Sequence, residues 1–550
     1  MQADPSPPSA PSLAHVEHSL RSGNQAALRR DLIAASTPLA CQMIHAFSLT
    51  AISFHAVMHL ELVETILRLG WREDPQLASA VCEFVQDLIT ASATFLRPCI
   101  SALVDSFLLS EKIGEAAKEG EYDTSTDELI LVHVHSALQA ILRVCPLATS
   151  PLFDTVKELF PHSRRDVHCH RFYLANTLKL IAYAPTLRTR TIHLIVERFV
   201  DLDVQIALQQ RNLEEAVADD PDAIFEVDLC DATAEEVVRM RQNADKLDEM
   251  MFMMLDFINR SCGKRTFGES SPTSPSSDSP GEHVFQALVT AFRVSVMQTY
   301  KCRSAQFLLF FCCSFDVAYS QAFVRLLLEQ VEAELVHSDQ RAACAAYLAS
   351  FLARAKCAPP PIASPVFTSS SVVAIPQALR QPSHLLWLGL PRFLPYIFMP
   401  MDAILQTVLH MVTWARDYQL QAIERLQGQA ATLDVQLHGV FYAVVQAVLY
   451  ILCYKHELLF TAQCANAREN IANILRPILL CELNPLKFCL DNVVVEFERL
   501  QLCDCAQVIA ANERMAVVSR SASGKANCLE DFFPFDPIQL KVRRKLCMLP

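Results

Sequence analysis

The stretch Leu247-Asp248-Glu249-Met250-Met251-Phe252-Met253-Met254-Leu255-Asp256-Phe257-Ile258 sets the fold class of this chain. Leu247, Met250, Met251, Met254, Leu255 and Ile258 recur at intervals of three and four residues, the spacing that gathers side chains onto one face of an α-helix. Thr233 and Glu236 upstream match a capping box that starts such a helix. Methionines in an apolar stripe fill core space more readily than they line a ligand surface.

The rest of the chain repeats this pattern. Of 550 residues, 52% are hydrophobic, which is ample for a large core, and only 11 are glycine. Glycine is costly inside helices whereas Ala, Leu and Gln are favoured, and the long segments are built from the latter with few alternating strand patterns. The expected fold is all-α, a HEAT-like helical-repeat solenoid of helix pairs at roughly forty-residue spacing. Disordered acidic and Ser/Pro-rich loops interrupt it.

Punctuation residues divide the chain. Residues 1–27, with Pro5, Pro7, Pro8 and Pro11, read as a flexible tail, and an N-terminal helical half runs over 28–208. Asp74-Pro75, Ser125 with Glu128 and Ser150-Pro151 mark helix starts within that half, and Pro185 marks a short turn joining an antiparallel pair, Phe172 to Ala184 and Thr191 to Leu202. An acidic linker over 209–231 carries Glu214, Glu215, Asp219, Asp220 and Asp222, and a helical segment spans 232–260. A Ser/Pro-rich linker covers 261–281, central repeats 282–358, an inserted loop 359–400 and C-terminal repeats 401–518. A tail over 519–550 closes the chain.

The formal net charge of -13 denies the whole molecule the broad positive field that non-specific nucleic-acid binding requires. Twenty cysteines scattered through apolar stretches, without an N-terminal secretory signal, read as reduced buried thiols of an intracellular protein. Leu437 to Tyr454 is nearly long enough to cross a bilayer, but His438 and Gln446 interrupt it, so a buried core helix is expected rather than a membrane span. Pro391, Pro395 and Pro400 spoil the other apolar run, Leu385 to Met401.

Catalytic signals are missing from the sequence. There is no phosphate-cradling glycine loop, zinc-protease His-Glu pair or glycine-flanked nucleophilic serine, so no enzyme activity, catalytic residue or cofactor is expected. His168-Cys169-His170 and Cys503-Asp504-Cys505 lack the second pair that completes a metal site and read as structural.

Several ordered segments carry a family likeness. They are Thr94-Phe95-Leu96-Arg97-Pro98-Cys99, Tyr183-Ala184-Pro185-Thr186-Leu187-Arg188, Lys246-Leu247-Asp248 and a dense stretch from Gln306 to Lys356 that includes Phe311 to Phe315. The last part of that stretch reads Ala346-Tyr347-Leu348-Ala349-Ser350-Phe351-Leu352-Ala353-Arg354-Ala355-Lys356. Further along come Leu437-His438-Gly439-Val440-Phe441-Tyr442, Leu483-Asn484-Pro485-Leu486-Lys487 and Phe532-Phe533-Pro534-Phe535-Asp536-Pro537. In this order the chain resembles the RNA polymerase I-specific transcription initiation factors, the transcription initiation factor IA family.

The resemblance implies a helical-repeat factor of the nucleus and nucleolus. It would dock on the stalk region of RNA polymerase I, bridge it to promoter-bound core initiation factors for ribosomal RNA synthesis, and be controlled by phosphorylation. A homodimer of the free factor and a weak DNA contact belong to the same expectation, and a membrane does not. Against this stands a HEAT-repeat adaptor or scaffold in transport or complex assembly, since fold alone does not specify a partner. Two departures are visible: residues 359–400 read as a lineage-specific insertion or an unremoved intron, and the chain stops soon after Pro537, short of the longer regulatory tail of some relatives.

Three groups of residues are candidates for contact or control. Ser350, Arg354 and Lys356 form an expected recognition edge on a helix whose Tyr347, Phe351 and Leu352 face a core, although a basic helix end also simply favours the C-terminal dipole. Lys541, Arg543, Arg544 and Lys545 suit a nuclear-localisation signal or a phosphate contact. Ser271, Ser274 and Ser279, each followed by proline, suit phosphorylation.

Overall fold

In the computed structural model the Leu247–Ile258 stripe lies on the helix Asp231–Cys262, and all six stripe residues are buried, Met250, Met254 and Ile258 at 0% exposure. The structure describes residues 13–22, 25–109, 125–219, 231–262, 279–299, 302–357, 398–426, 435–460, 465–502 and 534. Among them every regular element is a helix except one parallel pair of two-residue strands, Lys356–Cys357 with Phe398–Met399. The chain divides into two compact units, Met1–Ile195 with Gln205–Met253, and Val196–Val204 with Met254–Pro550.

The first unit repeats one device. A helix ends, a three-residue 3-10 turn follows, and a second helix leaves from it: Ala93–Phe95 before Leu96–Asp105, Pro146–Ala148 before Thr149–Glu158, Pro185–Leu187 before Arg188–Asp219. The last residue of each turn, Phe95, Ala148 or Leu187, is buried, so every corner is pinned to the core. Proline opens two of the turns, where its missing N–H costs nothing. Thr37–Leu49 packs on Pro75–Ala91, which packs on Ser125–Val144, while Leu96–Asp105 packs on Thr149–Glu158. The Asp74 carboxylate accepts from the N–H groups of Gln76 at 2.8 Å and Leu77 at 3.3 Å, the cap expected of that Asp-Pro pair.

The second unit is built around the helix Val435–Leu459. It packs against Ser338–Arg354, Met401–Leu426 and Asp491–Arg499, which leaves Phe441, Tyr442, Val444, Leu449, Ile451 and Leu452 with no exposure above 0%. A segment long and apolar enough to span a bilayer is here a core helix, because three neighbours occupy its sides. Each of its large apolar side chains contributes roughly 1.5–3 kcal/mol on burial.

Two boundaries differ from expectation. The helix Leu13–Ser22 lies inside the stretch read as a loose tail, because Leu13, Val16 and Leu20 hold helical spacing once the prolines end, and Val16 and Leu20 are fully buried. The helix Arg188–Asp219 also continues eleven residues, 209–219, into the stretch read as an acidic linker. Glu and Ala are good helix formers, so the backbone continues without an apolar stripe. By contrast Met401–Leu426 begins where the insertion was expected to end.

Candidate functional site

The helix Ser338–Arg354 carries the first group of candidate contact residues. Its side chains are short at Ala342, Ala343, Ala345, Ala346, Ala349 and Ala353, which lets it lie close against Val435–Leu459. Tyr347, Phe351 and Leu352 point into the core as expected, at 2%, 0% and 0% exposure. Phe351 meets Phe310 and Phe323 at ring-centroid distances of 5.8 and 5.1 Å.

Ser350 does not share an edge with Arg354 and Lys356. It is 0% exposed, and its hydroxyl finds no hydrogen-bond partner among the described residues. Ser350 lies one turn before Arg354 on the same helical face, but the neighbouring helices close over position 350. Arg354 is half-buried and its guanidinium donates to the Ser350 carbonyl at 3.4 Å, whereas Lys356 is exposed. The surface part of the expected edge is therefore Arg354 and Lys356.

The turn that carries these two cations is held from beneath. The ammonium of Lys455, on Val435–Leu459, donates to the carbonyl of buried Ala355. A cation at a helix C-terminus also meets the negative end of the helix dipole. One residue on, Lys356 and Cys357 pair in parallel with Phe398 and Met399, so the two ends of the inserted stretch lie side by side.

Residues of the other motifs that carry the family likeness make long-range contacts within their own units. Tyr442 donates to the Leu483 carbonyl at 3.1 Å and its ring stacks on Phe488 at 4.2 Å. Gln306 donates from its amide to the Pro534 carbonyl, Lys246 from its ammonium to the Ser163 carbonyl, and the Tyr183 hydroxyl meets His135 Nδ1 at 2.9 Å. Asp203, 6% exposed, accepts from the Ser304 N–H at 2.9 Å, the Ser304 hydroxyl at 2.9 Å and the Arg303 N–H at 2.5 Å, closing the turn before the helix Gln306–Cys313. Burial pushes the Asp203 carboxyl up, and these donors pull it back. Nothing in the sequence marked Asp203 or Lys455, because the partners lie 100 residues or so away in each case.

Ser279 caps the helix Pro280–Ala291, accepting from the Glu282 N–H at 3.2 Å. Ser271, Ser274, Lys541, Arg543, Arg544 and Lys545 lie outside the described residues, as does Cys503-Asp504-Cys505. Cys169 and His170 are buried, with His170 Nδ1 2.8 Å from the Asp166 carbonyl, and among the described residues no group of three His, Cys, Asp or Glu is placed to hold a metal. The described cysteines are free thiols, and burial pushes those of Cys99 and Cys344 up to about 12.

The family described as RNA polymerase I specific transcription initiation factor RRN3 matches residues 29–369 and 397–548. The unmatched stretch between them falls inside the segment read as an insertion. The chain is 28% identical over 520 residues to the mouse RNA polymerase I-specific transcription initiation factor RRN3, covering 88% of this chain and 71% of that protein. It is 21% identical to the relative of the same description from Schizosaccharomyces pombe, covering 87% and 74%, and 22% identical to that of Saccharomyces cerevisiae, covering 87% and 78%. The crystal structure of RNA polymerase I transcription initiation factor Rrn3 superposes over 98% of both chains with a TM-score of 0.67 at 19% identity, a likeness of fold.

Proposed function

This chain belongs to the RNA polymerase I-specific transcription initiation factor RRN3 family, and on that premise we propose that it brings RNA polymerase I to the ribosomal RNA promoter. The observation that carries the reading is the family match along nearly the whole chain, on both sides of the insertion. The factor acts by position rather than by chemistry. One helical surface binds the polymerase, at its stalk region, and another binds promoter-bound core factors, in the nucleus and nucleolus.

Arg354 and Lys356 are the proposed contact residues of the central repeats. They are cations at an open helix end, held by the Lys455–Ala355 bond, and arginine is enriched among residues that dominate interfaces. A weak contact with DNA phosphate at the same cations, and at Lys541, Arg543, Arg544 and Lys545, belongs to the proposal, as does a homodimer of the free factor. Phosphorylation at Ser271, Ser274 and Ser279 is the proposed control, each phosphate adding about 1.5 to 2 negative charges. At Ser279 that charge would arrive at a helix start already carrying Glu282.

Affinity purification of the tagged protein from growing cells, scored for polymerase I against polymerases II and III, tests the reading. Selective recovery of polymerase I supports it, and recovery of transport receptors without polymerase I overturns it. The double variant Arg354→Glu, Lys356→Glu is expected to lower polymerase I recovery at least about tenfold, the loss of roughly 1.4 kcal/mol. Unchanged recovery would remove these two residues from the interface.

A further inference from the structure

We propose that Cys262 and Cys312 are a dithiol pair that a peroxide-class oxidant converts to an intramolecular disulfide. Cys262 is the last residue of the helix Asp231–Cys262, and Cys312 lies on the helix Gln306–Cys313. Their sulfurs are 3.8 Å apart, at van der Waals contact. A disulfide needs about 2 Å between sulfurs, so the pair must close by roughly 1.8 Å. A terminal helical turn supplies such movement more readily than the middle of a helix does.

Three further features favour this pair over any other. Cys262 is partly exposed while Cys312 is fully buried, so one thiol meets a small oxidant and the other waits behind it. Gly281 faces the same spot: a Cβ there would sit 3.3 Å from the Cys262 Cα, 3.4 Å from its Sγ and 3.4 Å from the Tyr319 hydroxyl. The absent side chain leaves Cys262 the space that it occupies. The hydrogen bond with the Cys262 thiol, and then burial, push the Cys312 thiol up, so Cys262 rather than Cys312 is the thiol that meets the oxidant first.

The chemistry balances with hydrogen peroxide. Cys262 gives up its proton, its thiolate attacks one peroxide oxygen, the O–O bond breaks, and a sulfenic acid and a hydroxide form, the hydroxide taking that proton to become water. Cys312 then attacks the sulfenic sulfur, its proton passing to the departing hydroxide as water. Two thiols and one peroxide thus give one disulfide and two waters. In a reducing compartment the pair rests as the dithiol and returns to it by thiol exchange. The oxidised form ties the end of Asp231–Cys262, where the Ser/Pro-rich linker begins, to the Gln306–Cys313 helix. This inference does not depend on the polymerase reading.

The test uses the full chain, purified under reducing conditions and then exposed to hydrogen peroxide. Remaining thiols are blocked with N-ethylmaleimide before non-reducing digestion and mass spectrometry. A Cys262–Cys312 linked peptide is expected, lost on adding dithiothreitol, together with slower hydrogen exchange in the last turn before residue 263. Cys262→Ser, which keeps the size and polarity of the side chain, must abolish the link, and Cys313→Ser must keep it. Cys262 recovered only as sulfinic acid, only joined to Cys313, or only joined to a second chain would overturn the proposal.

Discussion

The Gln306 side-chain amide donates to the Pro534 carbonyl at 2.9 Å, joining residues 228 positions apart. Gln306 is 0% exposed and stands first in the helix Gln306–Cys313, whose every residue is buried. The bond fastens Pro534 to a fully buried helix start in the second unit. Gln306→Leu keeps the volume and removes the donor, leaving a buried carbonyl without it. We expect a loss of about 1–3 kcal/mol by urea denaturation and faster proteolysis beside Pro534.

Lys455→Met tests the support beneath Arg354 and Lys356. The substitution keeps the stem and removes the ammonium that bonds the Ala355 carbonyl, a buried acceptor. A stability loss of about 1–3 kcal/mol is expected, measured by denaturation. Weaker polymerase I recovery should accompany it, because the turn that presents the two cations loosens.

Ser350→Ala should be neutral or stabilising by up to about 1 kcal/mol, since it removes a buried hydroxyl with no partner among the described residues. Polymerase I recovery should stay unchanged. A large loss of recovery from this variant, with stability retained, would return Ser350 to the interface.

His135 gives the first unit a pH dependence of known sign. Burial pushes its imidazole down to about 4, an effect that the Asn176 hydrogen bond opposes and the Lys179 charge adds to. The unfolded chain binds the proton near pH 6.5, so this contribution is complete above that pH and is lost as pH falls toward 4. The slope is about 1.4 kcal/mol per pH unit for one proton. In His135→Gln the stability curve between pH 4 and 6.5 should flatten by that amount, read from urea midpoints at each pH.

Much of the fold was legible because helix formation is local. The Leu247–Ile258 stripe, the Asp74 cap and the turn at Pro185 each depend on residues within one or two turns, and all appear as read. The extra helix Leu13–Ser22 shows the limit of judging by composition, since prolines nearby masked three well-spaced apolar residues. At the candidate site, Tyr347, Phe351 and Leu352 were legible as core, but Ser350 was not, because a serine carries no pattern that says whether a neighbouring helix covers it.

The sequence by itself determined that the chain is helical, where most helices start, and which family it belongs to, because periodicity, caps and ordered motifs are properties of neighbours along the chain. Tertiary structure alone decided that Ser350 is buried while Lys356 is open, that Lys455 holds the Ala355 carbonyl, that Gln306 reaches Pro534 and that Cys262 meets Cys312. Those contacts join residues 50 to 228 positions apart, and which distant groups meet is set by the packing of whole helices rather than by any local preference.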